Sequence, residues 1–243
     1  MRFLQQRTVF AALLATAAAI YYPSLAALFQ EVRTNVVRKS GPAGRLLSWS
    51  VISTAEPDPE FSALMNDPGT EPVFVVVMGV SGTGKSTLGA ALARAISLPY
   101  IDGDDLHPKS NVDKMTRGQP LTDEDREPWL QKIRSTAEEM AGNGQKGVVI
   151  ACSALRRVYR EVLRGNDSKG KLRTYFVFID GSRDFLLDRM EKRTAHFMKS
   201  NMLDSQLATL EHPGGEEGVF VVPVTDETPI KVEKSVAWLK TKL

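Results

Sequence analysis

The segment VFVVVMGVSGTGKST, residues 73–87, is the most informative part of this sequence. Gly79 to Ser86 fits the pattern G-x-x-x-x-G-K-[ST], whose glycines let successive backbone N–H groups point at phosphate oxygens. Lys85 reaches the outer phosphates in such a loop, and the hydroxyl of Ser86 can bind Mg²⁺. The pattern therefore predicts a binding site for a nucleoside triphosphate.

The flanks of this loop support that interpretation over a glycine-rich turn without a ligand. The continuous apolar run from Val73 to Met78 is typical of a strand buried on both faces. After the loop, Leu88, Leu92 and Ile96 recur every four residues, which predicts a helix. A helix N-terminus adds partial positive charge beside bound phosphate, so strand, loop and helix form the arrangement that the motif needs.

The remaining sequence alternates apolar strands with amphipathic helices. This alternation predicts an α/β fold, a three-layer sandwich with a mostly parallel five-stranded sheet and helices on both faces. Strands are predicted at residues 73–78, 100–102, 147–152, 174–180 and 219–224. Helices are predicted near 111–117 and 123–143, at 155–164 and 183–193, and around Val232, Val236, Leu239 and Leu243.

Ligands of parallel sheets bind beyond the carboxyl ends of the strands, which directs attention to Asp102, Asp104 and Asp105. Extended geometry would place Asp102 and Asp104 on one side of the chain. One carboxylate could then support Mg²⁺, while the other orients or deprotonates a hydroxyl group. The alternative is an Asx turn with a helix cap, for which Asp105 is the expected capping residue.

Other candidates follow the second, third and fourth strands. His107 either donates to a substrate oxygen or only stabilises the turn before Pro108. Cys152 is expected to be a small core residue, and Ser153 and Arg156 lie where the ligand rule points.

Arg189 and Arg193 are four residues apart on one predicted helix, and polar sequence follows them. They could belong to a mobile lid that brings arginine to the transferred phosphoryl group, or to an ordinary solvated basic face.

Composition excludes several classes of protein. The 243 residues carry a net charge of +2, which offers no electrostatic case for nucleic acid binding. Cys152 is the single cysteine, so no internal disulfide framework exists.

The N-terminal part differs from the rest. Thr8 to Gln30 is an uncharged run of 23 residues that predicts either a signal-anchor helix or a basic targeting presequence. Pro23 limits its uninterrupted part to about 22 Å. A cleaved secretory signal is disfavoured because a free thiol and a triphosphate site follow, and a mispredicted start codon is the remaining alternative. Residues 56–72, with four prolines among acids, are interpreted as a linker. We therefore divide the chain into an extension, 1–70, and a phosphate-loop domain, 71–243.

The expected location follows from these alternatives. The phosphate-loop domain is expected in the cytoplasm. An anchor would tether it facing the cytosol, because four basic residues follow the hydrophobic run and two precede it. A presequence would direct it to mitochondria. Membrane contact is expected only through residues 8–30.

From about Pro72 to Leu243 the sequence resembles the gluconokinases, small phosphate-loop kinases related in fold to shikimate and adenylate kinases. The phosphate loop is shared by many families, whereas three further blocks are specific to this one. The blocks are MGVSGTGKST (78–87), DGDDLHPKSNVDKMTRGQPLTDEDREPWL (102–130), ACSALRRVYRE (151–161) and HFMKSNMLDSQLATLEHP (196–213). The chain departs from the family pattern at Ala195, where glycine is common, and at Leu207, where phenylalanine is common.

This resemblance implies an ATP-dependent gluconokinase that uses Mg²⁺ and converts D-gluconate to 6-phosphogluconate, feeding the pentose phosphate pathway. It implies a small mobile lid, and it is compatible with a homodimer. The implied catalytic residues are Lys85, Asp104, Arg189 and Arg193, and the implied metal ligands are Ser86 and Asp102. The implied ATP-binding residues are Gly79, Val80, Ser81, Gly82, Thr83, Gly84, Lys85, Ser86 and Thr87. The implied gluconate-binding residues are Asp104, His107, Lys114, Arg126, Ser153 and His196.

Two alternative functions remain open. One is a nucleotide-dependent switch or interaction protein, although the Asn-Lys-x-Asp guanine signature of GTPases does not occur. The other is a related kinase with a nucleotide or shikimate as acceptor, against which the block at 102–130 argues.

Overall fold

The computed structural model describes residues 56–165, 172–191 and 198–243. The hydrophobic segment 8–30, Arg193 and His196 lie outside the described residues. Among the residues that are described, no helix is both long enough and apolar enough to cross a membrane.

Five parallel strands form one sheet in the order β2-β3-β1-β4-β5. The strands are β1 (Val73–Met78), β2 (Tyr100–Asp102), β3 (Gly147–Ala151), β4 (Arg173–Asp180) and β5 (Val219–Pro223). The predicted α/β sheet is thus confirmed, and it is entirely parallel. Every residue of β1 is buried, because this strand lies at the centre and both of its faces are covered.

Helices cover both faces of the sheet. They are α1 (Pro59–Asn66), α2 (Lys85–Ala95), α3 (Lys109–Thr116), α4 (Asp123–Gly142), α5 (Arg157–Arg164), α6 (Arg183–Glu191), α7 (Met198–Thr209) and α8 (Thr228–Lys240). Alternate residues of β1 enter two separate cores. Val75 packs in the core that α1, α2, α6, α7 and α8 share, whereas Val76 packs in the core beneath α4 and α5. This arrangement is the predicted three-layer sandwich.

The stretch interpreted as a linker contains helix α1, so that interpretation is wrong for residues 59–66. Asp58 caps the helix by accepting from the N–H of Phe61 at 2.7 Å, and Phe61 is fully buried. Lys240 of α8 binds Asp58 and Glu60, with Nζ–O distances of 2.9 and 2.6 Å. We therefore propose that the phosphate-loop domain begins before Asp58 rather than at residue 71.

Two further elements differ from expectation. A short 3₁₀ turn, Gly103–Leu106, follows β2 where extended chain was expected. Helix α7 begins at Met198, within the polar stretch for which a mobile lid was one of two interpretations. The segment 192–197, between α6 and α7, lies outside the described residues.

Candidate active site

The phosphate loop, residues 79–87, connects the carboxyl end of β1 to the first turn of α2. Gly79, Gly82 and Gly84 have φ angles of 144°, 84° and 95°, in the region that favours glycine. A Cβ atom at Gly79 would lie 2.9 Å from the carbonyl oxygen of Ile179 in β4, too close for any side chain. The loop therefore requires glycine both for its curvature and for its approach to the neighbouring strand.

Lys85, the first residue of α2, is half-buried within this loop. Its Nζ donates to the carbonyl oxygen of Val80 at 3.2 Å. Burial lowers the pKa of Lys85, and the nearby carboxylates of Asp104 and Asp102 oppose that shift. The predicted lysine and the two predicted acids thus occupy one site.

Asp102 joins the end of β2 to the phosphate loop. Its Oδ2 accepts from Ser86 Oγ at 2.9 Å, and its Oδ1 accepts from the N–H of Asp104 at 3.2 Å. Asp102 is thus the N-cap of the 3₁₀ turn, so the expectation that Asp105 would cap is wrong. The two interpretations of these acids are compatible, since one carboxylate both caps the turn and contacts Ser86.

The hydroxyl of Tyr100 is buried beside Ser86 and Asp102, yet it makes no hydrogen bond of good geometry with them or with any other described residue. Burial raises the pKa of Tyr100 well above its usual range, and the Asp102 carboxylate adds to that shift. The ring packs on Gly89 of α2, where a Cβ atom would lie 2.6 Å from Cε2 of Tyr100. Sequence patterns did not identify this residue, because tyrosine in a strand is common.

His107 follows the turn and lies flat against Trp129 of α4, with ring centroids 4.0 Å apart. Trp129 Nε1 donates to the carbonyl oxygen of Gly103 at 2.7 Å, which fixes the turn after β2. Burial, helped by the positive charge of Arg126, lowers the pKa of His107 to about 4. The imidazole is therefore neutral at pH 7 and can act as donor and acceptor.

Lys114 and Arg126, the two cations among the implied gluconate-binding residues, lie near the start of α4, where each already has protein partners. Lys114 forms an ion pair with Asp125, which together with backbone N–H donation lowers the pKa of Asp125 to about 2. Arg126 donates to the carbonyl oxygen of Leu121 at 2.6 Å and lies over the ring of Tyr159 at 5.7 Å.

The carboxyl end of β3 also meets the loop. The carbonyl oxygen of Ser153 accepts from the N–H of Gly79 at 3.4 Å. Arg156 forms ion pairs with Asp123 and Glu211, which makes it a link between α4, α5 and the loop before β5. Cys152 is buried in the core as expected.

Helices α6 and α7 both contact the phosphate loop. Arg189 NH1 of α6 lies 3.5 Å from the carbonyl oxygen of Thr83, at the limit of a hydrogen bond. Gln206 of α7 accepts from the N–H of Ser81 through Oε1 at 2.6 Å. Sequence reasoning missed Gln206, since its only signal was its place within the block at 196–213.

Known proteins resemble this chain both in sequence and in structure. The sequence model of the shikimate kinase family matches residues 81–232. The chain is 51% identical over 154 residues to a gluconokinase of Gluconobacter oxydans (strain 621H). The aligned region covers 63% of this chain and 84% of that protein. A probable gluconokinase of Schizosaccharomyces pombe is 43% identical over 146 residues, 60% of this chain and 75% of that protein. The crystal structure of a gluconokinase from Sinorhizobium meliloti 1021 has a TM-score of 0.61 and 45% identity, covering 70% of this chain and 93% of that one.

Proposed function

The chain belongs to the gluconokinase family of shikimate-kinase-like phosphate-loop kinases, and from that membership we propose the reaction that its site performs. ATP donates its γ-phosphate to the 6-hydroxyl of D-gluconate, which yields 6-phosphogluconate and ADP. The observation that carries this proposal is the convergence of Lys85, Asp102 and Asp104 at the carboxyl edge of β1 and β2.

Lysine, aspartate and arginine side chains have distinct roles in the proposed transfer. Lys85 holds the outer phosphates and offsets the negative charge that grows on them in the transition state. Asp104 orients the 6-hydroxyl and accepts its proton as oxygen bonds to phosphorus, while the bond between the γ-phosphorus and the bridging oxygen breaks. Arg189, already beside the loop at Thr83, and Arg193 stabilise the transferred group.

The residues at the end of β2 suit Mg²⁺. Ser86 Oγ, the Asp102 carboxylate and the unpartnered Tyr100 hydroxyl are all oxygen donors, which this cation prefers. Ser86 and Asp102 would hold the ion. When bound, Mg²⁺ supplies positive charge at the phosphates.

Gluconate would lie between the phosphate loop and α4. The neutral His107 suits a sugar hydroxyl, because it can donate and accept. Arg126 keeps further N–H donors beyond the one bound to Leu121, so it suits the gluconate carboxylate, with Lys114 beside it. Ser153 and His196 complete the proposed substrate contacts.

A coupled assay with 6-phosphogluconate dehydrogenase, with and without D-gluconate, tests the reaction. Turnover should require gluconate and be abolished in Lys85→Ala, and Asp104→Asn should lower kcat by about 100-fold or more. Lys132→Ala, an exposed lysine of α4, is the matched control and should retain wild-type activity. Full gluconate-dependent turnover in Lys85→Ala or Asp104→Asn would refute the assigned roles.

A further inference from the structure

The peptide group between Val80 and Ser81 is held from both sides. Its carbonyl oxygen accepts from Lys85 Nζ at 3.2 Å and from Thr83 Oγ1 at 2.8 Å. Its N–H donates to Gln206 Oε1 at 2.6 Å. Because a peptide group is planar, fixing the N–H also fixes the direction of the carbonyl. Gln206 and Lys85 are therefore mechanically connected through one peptide plane.

Helix α7, which carries Gln206, is itself fixed relative to α6. Arg183 of α6 binds Asp204 of α7 through two hydrogen bonds of 2.6 and 3.0 Å. On the same side of α7 as Gln206, Leu203 is fully buried in the core. Gln206 therefore extends from an anchored helix and not from a free surface.

Helix α6 also contacts the phosphate loop, at Gly82 and Thr83. A Cβ atom at Gly82 would lie 2.8 Å from Cγ of Met190, and Arg189 lies beside Thr83. The two helices that flank segment 192–197 thus contact adjacent parts of the phosphate loop.

We propose that Gln206 is a positioning residue for phosphoryl transfer, which acts by directing the carbonyl of Val80 toward Lys85 and so orienting the ammonium group. This inference rests on the proposed function, in which Lys85 acts on the outer phosphates. Gln206 does not touch the reacting atoms. In the proposed complex the Gln206 amide would lie at the outer-phosphate end of the nucleotide, because it binds the same peptide group as Lys85.

The Gln206→Leu variant removes the acceptor and keeps an apolar side chain of similar bulk. Its kcat should fall about tenfold, the equivalent of one lost hydrogen bond in the transition state. The ADP Kd and the KM for gluconate should stay within about threefold of wild type, because neither depends on the orientation of Lys85 toward the γ-phosphate. A kcat within twofold of wild type would overturn the proposal, as would equal losses in kcat and ADP affinity.

The Gln206→Glu variant keeps an acceptor oxygen at the same reach and adds one negative charge. It should restore kcat at saturating ATP to within about threefold of wild type, while weakening the ATP Kd about tenfold and the ADP Kd far less. Equal weakening of ATP and ADP would contradict the assigned position. Gln131→Glu, an exposed glutamine of α4, is the matched control and should leave both affinities unchanged.

These measurements distinguish a failure of the Gln206 proposal from a failure of the proposed gluconokinase reaction. ATP and ADP affinities are measured by titration calorimetry without any acceptor, so the effect of Gln206→Glu tests the position of Gln206 even if wild type shows no gluconate-dependent turnover. Thermal unfolding of each variant excludes a merely structural role, in which both substitutions would lower the melting temperature and weaken ATP and ADP alike.

Discussion

Among single residues, Tyr100 has a buried hydroxyl with no hydrogen-bond partner among the described residues. A buried hydroxyl that lost its bonds to water costs about 1 to 3 kcal/mol. Tyr100→Phe should therefore raise the free energy of unfolding by about 1 kcal/mol, measured by urea denaturation without nucleotide or Mg²⁺.

Tyr175 provides the opposite case for comparison. Its hydroxyl donates to the carbonyl oxygen of Lys242 at 3.0 Å. Tyr175→Phe removes a bond that is made and should lower the free energy of unfolding by about 1 kcal/mol. If both substitutions destabilised the protein equally, the hydroxyl of Tyr100 would have to be satisfied in solution.

His107 predicts a pH dependence of stability. Its pKa is lowered to about 4 in the folded protein, from 6.5, chiefly by burial. On acidification His107 takes up a proton near pH 6.5 in the unfolded chain, but only near pH 4 in the folded protein. The contribution of the neutral ring to the free energy of unfolding is therefore fully present above pH 6.5, and it is lost as the pH falls toward 4.

His107→Phe keeps the stacking on Trp129 and removes the titration. From pH 7.5 to pH 5.0, wild type should lose about 1 kcal/mol more of its unfolding free energy than the variant, after allowance for the partial exposure of the ring. Chemical denaturation at the two pH values measures this difference, and parallel losses would contradict the lowered pKa.

Asp102 shows why residue roles resist assignment from sequence. Strand geometry predicted that Asp102 and Asp104 would share one side of an extended chain, but the chain turns at Gly103. A Cβ atom at Gly103 would lie 2.2 Å from the carbonyl oxygen of Ala151, so the tight turn depends on packing against β3. The two acids still converge on Lys85, through a geometry that no local pattern specified.

Among the secondary-structure elements, α1 was the one most clearly missed. The prolines and acids of residues 56–72 are typical of a linker, yet Pro59 occupies the start of the helix, where a missing N–H costs little. By contrast, β1 was predicted with its observed limits, because a strand covered on both faces has a continuous apolar run with abrupt ends. The difference is that burial of α1 depends on only two residues, Phe61 and Met65.

The packing of α1 leads to a prediction. Phe61→Ala should lower the free energy of unfolding by about 3 to 5 kcal/mol, since it empties a fully buried site. Phe185→Ala is the matched control on α6, where the side chain is 38% exposed, and should cost less than about 1 kcal/mol. Urea denaturation of both variants measures the effect, and similar small losses would mean that α1 is not docked in solution.

For the whole molecule, the single cysteine reports on the integrity of the core. Cys152 lies at the end of β3, and burial raises the pKa of its thiol to about 12. The folded protein should therefore not react with a dithiobis-nitrobenzoate reagent at pH 8, whereas the urea-unfolded chain should react at one thiol per molecule. Rapid stoichiometric reaction of the folded protein would show that the core beneath α4 and α5 opens readily.

The residues alone were sufficient for the phosphate loop, the alternation of strands and helices, the family and the positions of Lys85, Ser86 and Asp102. These features depend on backbone conformation and on side-chain periodicity, which neighbouring residues largely set. Other features were visible only in the tertiary structure. Strand β3 lies between β2 and β1, helix α1 packs on α8, the hydroxyl of Tyr100 is left without a partner among the described residues, and Gln206 accepts from the N–H of Ser81. Ser81 and Gln206 are 125 residues apart, and contacts at such separations arise only when whole helices pack against the sheet, so no local pattern records them.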